Sequence, residues 1–354
     1  MGLSRIVLSP FSALYKVVTD VRNFLYDQGR RHSTLFTVPV INVGNLTVGG
    51  TGKSPMIEYL GAMLSESYQV AILSRGYGRR TKGFRLAGEG DDATTLGDEP
   101  YQFYQKAGDN VTVAVGEERA LAIPSILLER PETNVILLDD AFQHRAVVPH
   151  FNILLSDYNR PFYKDMVLPA GRLRESRYGA RRAHAVIVTK CPGSLDEKAM
   201  ELVKAQIEKY TRAGTPVFFT TISYGQPISL YGHTSPARGE NVVAFSGIAR
   251  SEPFINYLAK TYALSDHMDF PDHHAYSESD LERIKARFMA HGATSEQTSL
   301  VTTEKDAARL RSLGAKHPLS GLPVSYIPIR PVFLRDEEVF RSMVFDAVSK
   351  ELGR

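Results

Sequence analysis

Short apolar runs alternate with stretches of helical period along most of the chain. Runs rich in Val, Ile and Leu occur at 37–43, 70–74, 111–115, 135–139, 152–156 and 185–189, and again at 217–221, 242–246, 300–303 and 324–329. Between them, apolar residues recur with helical spacing over 54–65, 117–129, 196–211, 252–259, 277–291 and 337–352. A strand that faces water on one side alternates apolar with polar residues, whereas a strand covered on both faces does not. The βαβα order with unbroken runs therefore predicts an α/β fold, a mostly parallel sheet with flanking helices. A Pro- and Gly-containing stretch at 222–239 marks the expected boundary. It divides a larger lobe, 31–225, from a smaller C-terminal α/β lobe, 226–354.

The N-terminal segment, 1–30, stands apart from this alternation. Phe11, Leu14, Val17, Val18, Val21, Phe24 and Leu25 recur at helical spacing, with Lys16 and Arg22 off the stripe and Arg5, Arg30 and Arg31 flanking it. The apolar runs are too short and too interrupted to span a bilayer, and no signal-peptide cleavage site follows them. Two readings stay open: a helix packed on its own domain, or an amphipathic anchor lying in a membrane interface.

Composition narrows the class. Of 354 residues, 43% are hydrophobic and 23% charged, a balance that permits a large core. A net charge of +3 is too mild to argue for nucleic acid, but it suits an anionic substrate or membrane surface. The single cysteine, Cys191, rules out a disulfide framework and makes a reducing cytosol the natural compartment.

The chemistry concentrates in a few motifs. The run from Val40 to Ser54, VINVGNLTVGGTGKS, takes a strand into a glycine-rich turn and then a helix. That is P-loop context. Gly49, Gly50, Thr51 and Gly52 let backbone amides close around phosphates, Lys53 brings a cation, and the Ser54 hydroxyl is placed to ligate Mg²⁺. Thr47 stands where the standard pattern has its first glycine, so the loop resembles the G-G-x-G-K-[ST] form of deviant P-loop proteins. The apolar run 135–139 ends in Asp139-Asp140, the expected Mg²⁺-side carboxylates. Adjacent side chains at a strand end point opposite ways, so the two should divide their roles.

Further candidates follow. Leu73-Ser-Arg-Gly-Tyr-Gly-Arg-Arg80 offers Arg75 and Tyr77 for an anionic group, and the loop Leu168-Pro-Ala-Gly-Arg-Leu-Arg-Glu175 offers Arg172, Arg174 and Glu175. Asp98 in Gly-Asp-Glu-Pro reads as a helix cap or a functional acid. His273 in Phe-Pro-Asp-His-His-Ala-Tyr reads as a base, a ligand or a loop residue, with zinc disfavoured by the lack of partner ligands. Thr189-Lys190 has Pro192 where a guanine-reading aspartate belongs, so ATP is expected rather than GTP.

Together these stretches resemble the tetraacyldisaccharide 4′-kinase family of lipid A synthesis. GNLTVGGTGKSP, LSRGYGRR, GDEP, DDAFQHR, LPAGRLRE, FSGIARSEPF, FPDHHAY and TTEKDAARL run in family order over about residues 10–345. The resemblance implies transfer of the ATP γ-phosphate to the 4′-hydroxyl of tetraacyldisaccharide 1-phosphate. It implies Mg-ATP, peripheral contact with the cytoplasmic side of the bacterial inner membrane, and no nucleic acid. It places the P-loop lysine on Lys53, the Mg²⁺ hydroxyl on Ser54, and the paired aspartates on Asp139 and Asp140. The catalytic aspartate falls on Asp98, with its partner histidine on His273. Ser54 stands where threonine is commoner, and Ala141 where glycine is more usual. The alternatives are a deviant P-loop GTPase or ATPase for metal delivery or protein targeting, and a nucleotide-gated membrane adaptor.

Overall fold

A computed structural model describes residues 3–291, 298–314 and 316–353, with side chains from Val7 onward. The Arg5 side chain therefore lies outside the described residues. The chain opens with α1 (Leu3–Asp27) and β1 (Val40–Asn45). It continues through α2 (Lys53–Ser65), β2 (Val70–Ser74), β3 (Arg85–Leu86), α3 (Ala93–Leu96), α4 (Asp98–Lys106) and β4 (Val111–Val115). Then come α5 (Arg119–Glu129), β5 (Val135–Asp139), β6 (Phe151–Asp157), β7 (Ala185–Thr189), α6 (Glu197–Glu208) and β8 (Val217–Tyr224). The second half holds β9 (Ile228–Ser229), β10 (Asn241–Ser246), α7 (Glu252–Thr261), β11 (Ala263–Asp269), α8 (Glu278–Ala290) and β12 (Thr298–Thr303). It ends with α9 (Glu304–Arg311), β13 (Val324–Ile327), β14 (Ile329–Phe333) and α10 (Glu337–Glu351).

Among the described residues, nine strands form one sheet in the order β14-β8-β7-β6-β1-β5-β2-β4-β3. The seven inner strands are parallel; β14 and β3 close the edges antiparallel. Every residue of β1, β2, β5, β6 and β7 is buried, which is why their sequences are continuous apolar runs. Successive residues still serve opposite faces. Ile41, Ile72 and Leu137 meet α2 through Met56, Ile57 and Leu60, while Val40, Leu73 and Ile136 meet α5 through Ile123 and Ile126. A second sheet of five strands, β11-β10-β12-β13-β9, carries the smaller lobe.

The span 226–354 contributes to both sheets. Pro328 interrupts the run 324–329 and splits it between the two sheets, since proline cannot donate to a ladder. β13 stays in the small sheet, whereas β14 pairs with β8 of the large one. The large lobe's core then takes Phe333, Phe340, Val344 and Val348. Two connections between the lobes run side by side, with the Gly225 amide donating to the Pro328 carbonyl at 2.8 Å.

α1 has two unlike sides. One side is tied to the large lobe: Asn23 donates to Glu175 at 2.5 Å, Arg22 to the Gln143 carbonyl at 2.9 Å, and Arg145 pairs with Asp27 at 2.7 Å. The other side leaves Val7, Phe11, Leu14, Val17, Val18, Val21 and Phe24 each more than half exposed. No helix among the described residues is long and apolar enough to cross a membrane.

Candidate active site

The P-loop joins two elements that the sheet holds rigid. β1 ends at buried Asn45, whose side-chain amide donates to the Thr51 hydroxyl at 2.7 Å. Gly49 and Gly52 adopt φ of 106° and 83°, values open to glycine and strained for other residues. Gly52 precedes α2, and no side chain caps that helix start. Its first amides and dipole are therefore available to an anion. The Thr189 hydroxyl donates to the Thr51 carbonyl at 2.9 Å, and Lys190 ties the Gly50 carbonyl to Asp157. Thr189-Lys190 thus braces the phosphate loop from behind.

Asp139 and Asp140 occupy different surroundings. Asp139 is buried at the end of β5 and accepts from the Ser74 hydroxyl at 2.8 Å. Burial above all, with the neighbouring Asp140 charge, pushes its carboxyl up to about 6, against the pull of Lys53. Asp140 sits at φ 50° and turns toward cations, accepting from Arg174 at 3.0 Å with Lys53 Nζ at 3.7 Å. A buried carboxylate with its pKa raised in this way is relieved by a hard cation, so Asp139, Asp140 and the Ser54 hydroxyl fit Mg²⁺. Among the described residues no group of three or more His, Cys, Asp or Glu could hold a metal.

Across the cleft, the two lobes meet at Asp98 and His273. Asp98 opens α4 directly after Gly97, whose φ of 95° and contact with the Tyr77 carbonyl leave no room for a Cβ. His273 projects from the loop between β11 and α8 at φ 57°. Their separation in sequence is 175 positions, yet His273 Nδ1 lies 3.2 Å from Asp98 Oδ2. Burial raises the Asp98 carboxyl, but the His273 hydrogen bond and the Arg309 guanidinium outweigh it and hold the group below the usual carboxylate range. The same hydrogen bond raises His273 above its ordinary value, against partial burial. Lys305 pairs with Glu99 at 2.7 Å, and Lys106 bridges Glu58 and Glu304, so charged groups line the seam between lobes.

The other expected site residues divide. Arg75 and Tyr77 are exposed beyond β2, and Arg75 adds its charge to that of Arg119. Arg79 of the same motif is scaffold, bound to Glu117 at 2.6 Å. The loop 168–175 lies on the P-loop backbone: the Val48 amide donates to the Arg172 carbonyl at 2.9 Å, and the Arg174 amide to the Leu46 carbonyl at 2.7 Å. The Arg172 side chain is exposed and Arg174 reaches Asp140. Glu175 is held differently from the two arginines. It is 2% exposed and engaged by Asn23, Gln143 and Arg182, so it anchors α1 rather than facing open space.

The sequence profile of the family described as "Tetraacyldisaccharide-1-P 4'-kinase" matches residues 4–349. The chain belongs to that family. It is 42% identical to the tetraacyldisaccharide 4'-kinase of Flavobacterium johnsoniae over 357 aligned positions, covering 99% of each chain. It is 40% identical to that of Flavobacterium psychrophilum, covering 98% of each. Among solved structures it superposes on the "apo" form of LpxK from Aquifex aeolicus in complex with ATP. The TM-score there is 0.76 at 30% identity, covering 97% of this chain and 99% of the other. It is an ATP-dependent kinase acting on a sugar hydroxyl, and the GTPase, metal-delivery and adaptor alternatives are not favoured.

In this kinase two charged residues escaped sequence reasoning. Arg119 is 3% exposed at the start of α5; burial pushes its guanidinium down to about 10, and Asp139 opposes that shift. Arg309 is 7% exposed on α9 and reaches Asp98 at 2.9 Å. Its signal was the Asp306–Arg309 spacing inside TTEKDAARL, one helical turn, but so polar a segment carries no apolar period to reveal a buried helix.

Proposed function

We propose that this kinase transfers the γ-phosphate of ATP to the 4′-hydroxyl of tetraacyldisaccharide 1-phosphate in the cleft between its lobes. The observation that carries the reading is the hydrogen bond between Asp98 of the P-loop lobe and His273 of the smaller lobe, which joins the two across that cleft. Lys53 and the uncapped amides of α2 stabilise charge on the phosphates. Ser54, Asp139 and Asp140 would hold a Mg²⁺ ion, which would supply neutralising charge at the phosphates. The acceptor oxygen bonds the γ-phosphorus as the bond from that phosphorus to the bridging oxygen breaks and ADP leaves, and the Asp98–His273 pair positions the hydroxyl and collects its proton. Arg75, Tyr77, Arg172 and Arg174 offer cations and hydrogen bonds to the anionic lipid head. Incubation with γ-labelled ATP, Mg²⁺ and the tetraacyldisaccharide monophosphate should place label in the lipid. Nucleotide hydrolysis without lipid labelling would overturn the assignment.

Nucleotide choice follows from Lys190. Its ammonium is occupied by Asp157 at 2.9 Å and the Gly50 carbonyl, and Pro192 offers no carboxylate to a guanine edge. In a competition at equal concentrations, ATP should be used well ahead of GTP. Preferred use of GTP would count against this role for the Thr189-Lys190 segment.

We infer that α1 rests on the cytoplasmic face of the inner membrane. Its exposed apolar stripe is supported from below by polar ties, and a cleft of about 390 Å³ between α1 and the residues around Met166, Tyr178 and Tyr210 opens beside it. An interfacial helix inserts such a stripe among headgroups, with each large side chain contributing about 1.5–3 kcal/mol when fully buried. The variant Phe11→Ser/Leu14→Ser/Val18→Ser leaves the polar ties intact. It should weaken binding to anionic vesicles by on the order of 10-fold or more and raise KM for lipid more than for ATP. Unchanged vesicle binding by this folded variant would return α1 to a purely structural role.

A further inference from the structure

We propose that Arg309 is a positioning residue for phosphoryl transfer, holding the Asp98–His273 pair together across the lobe boundary. This rests on the proposed pairing of Asp98 with His273 and goes beyond it. Asp98 belongs to the large lobe, whereas Arg309 and His273 belong to the small one. Arg309 Nε donates to Asp98 Oδ2 at 2.9 Å, the same oxygen that His273 Nδ1 meets at 3.2 Å. Arg309 Nη2 lies 3.4 Å from His273 Nδ1, so one guanidinium touches both members.

Arg309 is itself fixed from the far side. Its Nη1 donates to Asp306 Oδ1 and to the Gly247 carbonyl, each at 2.8 Å. Asp306 is fully buried and receives the Tyr276 hydroxyl at 3.0 Å, the Thr303 hydroxyl at 2.6 Å and the Gly247 amide at 3.0 Å. A planar fork used this way sets direction as well as charge, which a lysine cannot reproduce. Asp98 therefore has its Oδ2 oriented by two cationic or protonatable donors from the opposite lobe.

The charged groups facing the pair set the sign of a pH test. Asp98 faces Arg309 and His273; His273 also faces Glu99, Lys305 and Asp272. Arg309 faces Asp306, Asp98 and Tyr276. Removing the guanidinium takes a cation from beside Asp98, so that carboxylate protonates more readily. It also takes a cation from beside the imidazole, so that ring protonates more readily too. Both changes move the acid limb of kcat/KM to higher pH, whichever member finally holds the proton.

The test compares wild type, Arg309→Gln, Arg309→Lys, His273→Ala and the His273→Ala/Arg309→Gln double variant, measuring kcat, KM for ATP, melting temperature and the pH profile of kcat/KM. Arg309→Gln should lower kcat by on the order of 10-fold or more with little change in KM for ATP. Its acid limb should rise by about one pH unit, the scale of an opposite charge lost at close range. Arg309→Lys keeps a charge and should hold the limb near its wild-type position while kcat still falls. In the His273→Ala background, Arg309→Gln should add little. A Gln variant with a lower melting temperature but an unmoved acid limb would reduce Arg309 to a structural tie and overturn the proposal. If Arg309→Gln does not fold, an Arg309→Lys variant with unchanged kcat overturns it instead. Near-normal activity of His273→Ala would sink the Asp98–His273 pairing itself, so the two failures are distinguishable.

Discussion

Replacing Lys53 with alanine should abolish most lipid phosphorylation, lowering kcat by about 10²-fold or more, while the protein keeps its fold. Lys53 is the first residue of α2, directly after Gly52 at φ 83°, so the backbone that shapes the loop does not depend on the lysine side chain. Its ammonium has one near carboxylate, Asp140, at 3.7 Å, and Asp140 keeps Arg174 at 3.0 Å when the lysine is gone. Stability should therefore change little: the Lys53–Asp140 pair is partly exposed, and such pairs contribute about 0–1 kcal/mol. The rate should change much more, because charge on the transferring phosphoryl group loses a fixed cation in a site with few mobile ones. Single-turnover kinetics with labelled ATP, beside a melting curve, separate the two effects. A folded Lys53→Ala protein with near-normal kcat would remove the P-loop from the mechanism.

The elements that sequence reasoning reached are those whose burial leaves an apolar signature. β2, β5 and β7 are buried along their whole length, and their runs were legible to the residue; β1, expected at 37–43, runs from Val40 to Asn45. α9 shows the opposite case. Glu304, Asp306 and Arg309 are buried in it, with charge satisfied by charge, so its sequence reads as a solvated segment. α4 begins with Asp98-Glu99-Pro100, and only the cap reading of Asp98 marked it in the sequence. Both helices line the lobe boundary, where ion pairs rather than apolar contacts join the surfaces. The site was legible through motifs where a backbone requirement forces residue type, as at Gly49 and Gly52. It was not legible where two distant charges meet only after the lobes assemble, as with Asp98 and Arg309. The partners of Glu175 on α1 and at Arg182 were hidden for the same reason, being invisible in one dimension.

Asp98 and His273 should lose activity as a unit. The structure refines how this is tested. Asp98→Ala would leave the buried Arg309 guanidinium with Asp306 alone and its Nε unpaired, and removing a partner from a buried ion pair costs up to about 3–5 kcal/mol, enough to confuse a rate loss with unfolding. Asp98→Asn keeps an oxygen for Arg309 and removes the charge. His273 is partly exposed, so His273→Ala strands no buried group. Each single variant should lower kcat by about 10²–10⁴-fold, the usual range for a positioned acid–base group, with smaller effects on KM for ATP. Groups that act together on one proton lose activity non-additively, so the double variant should be little worse than the poorer single. If Asp98 merely began a helix and His273 merely filled a loop, the two losses would add and would follow melting temperature. Single-turnover rates for both singles and the double, measured well below their melting temperatures, decide between these outcomes. Additive losses in folded variants would falsify the paired role, because a shared proton cannot be lost twice.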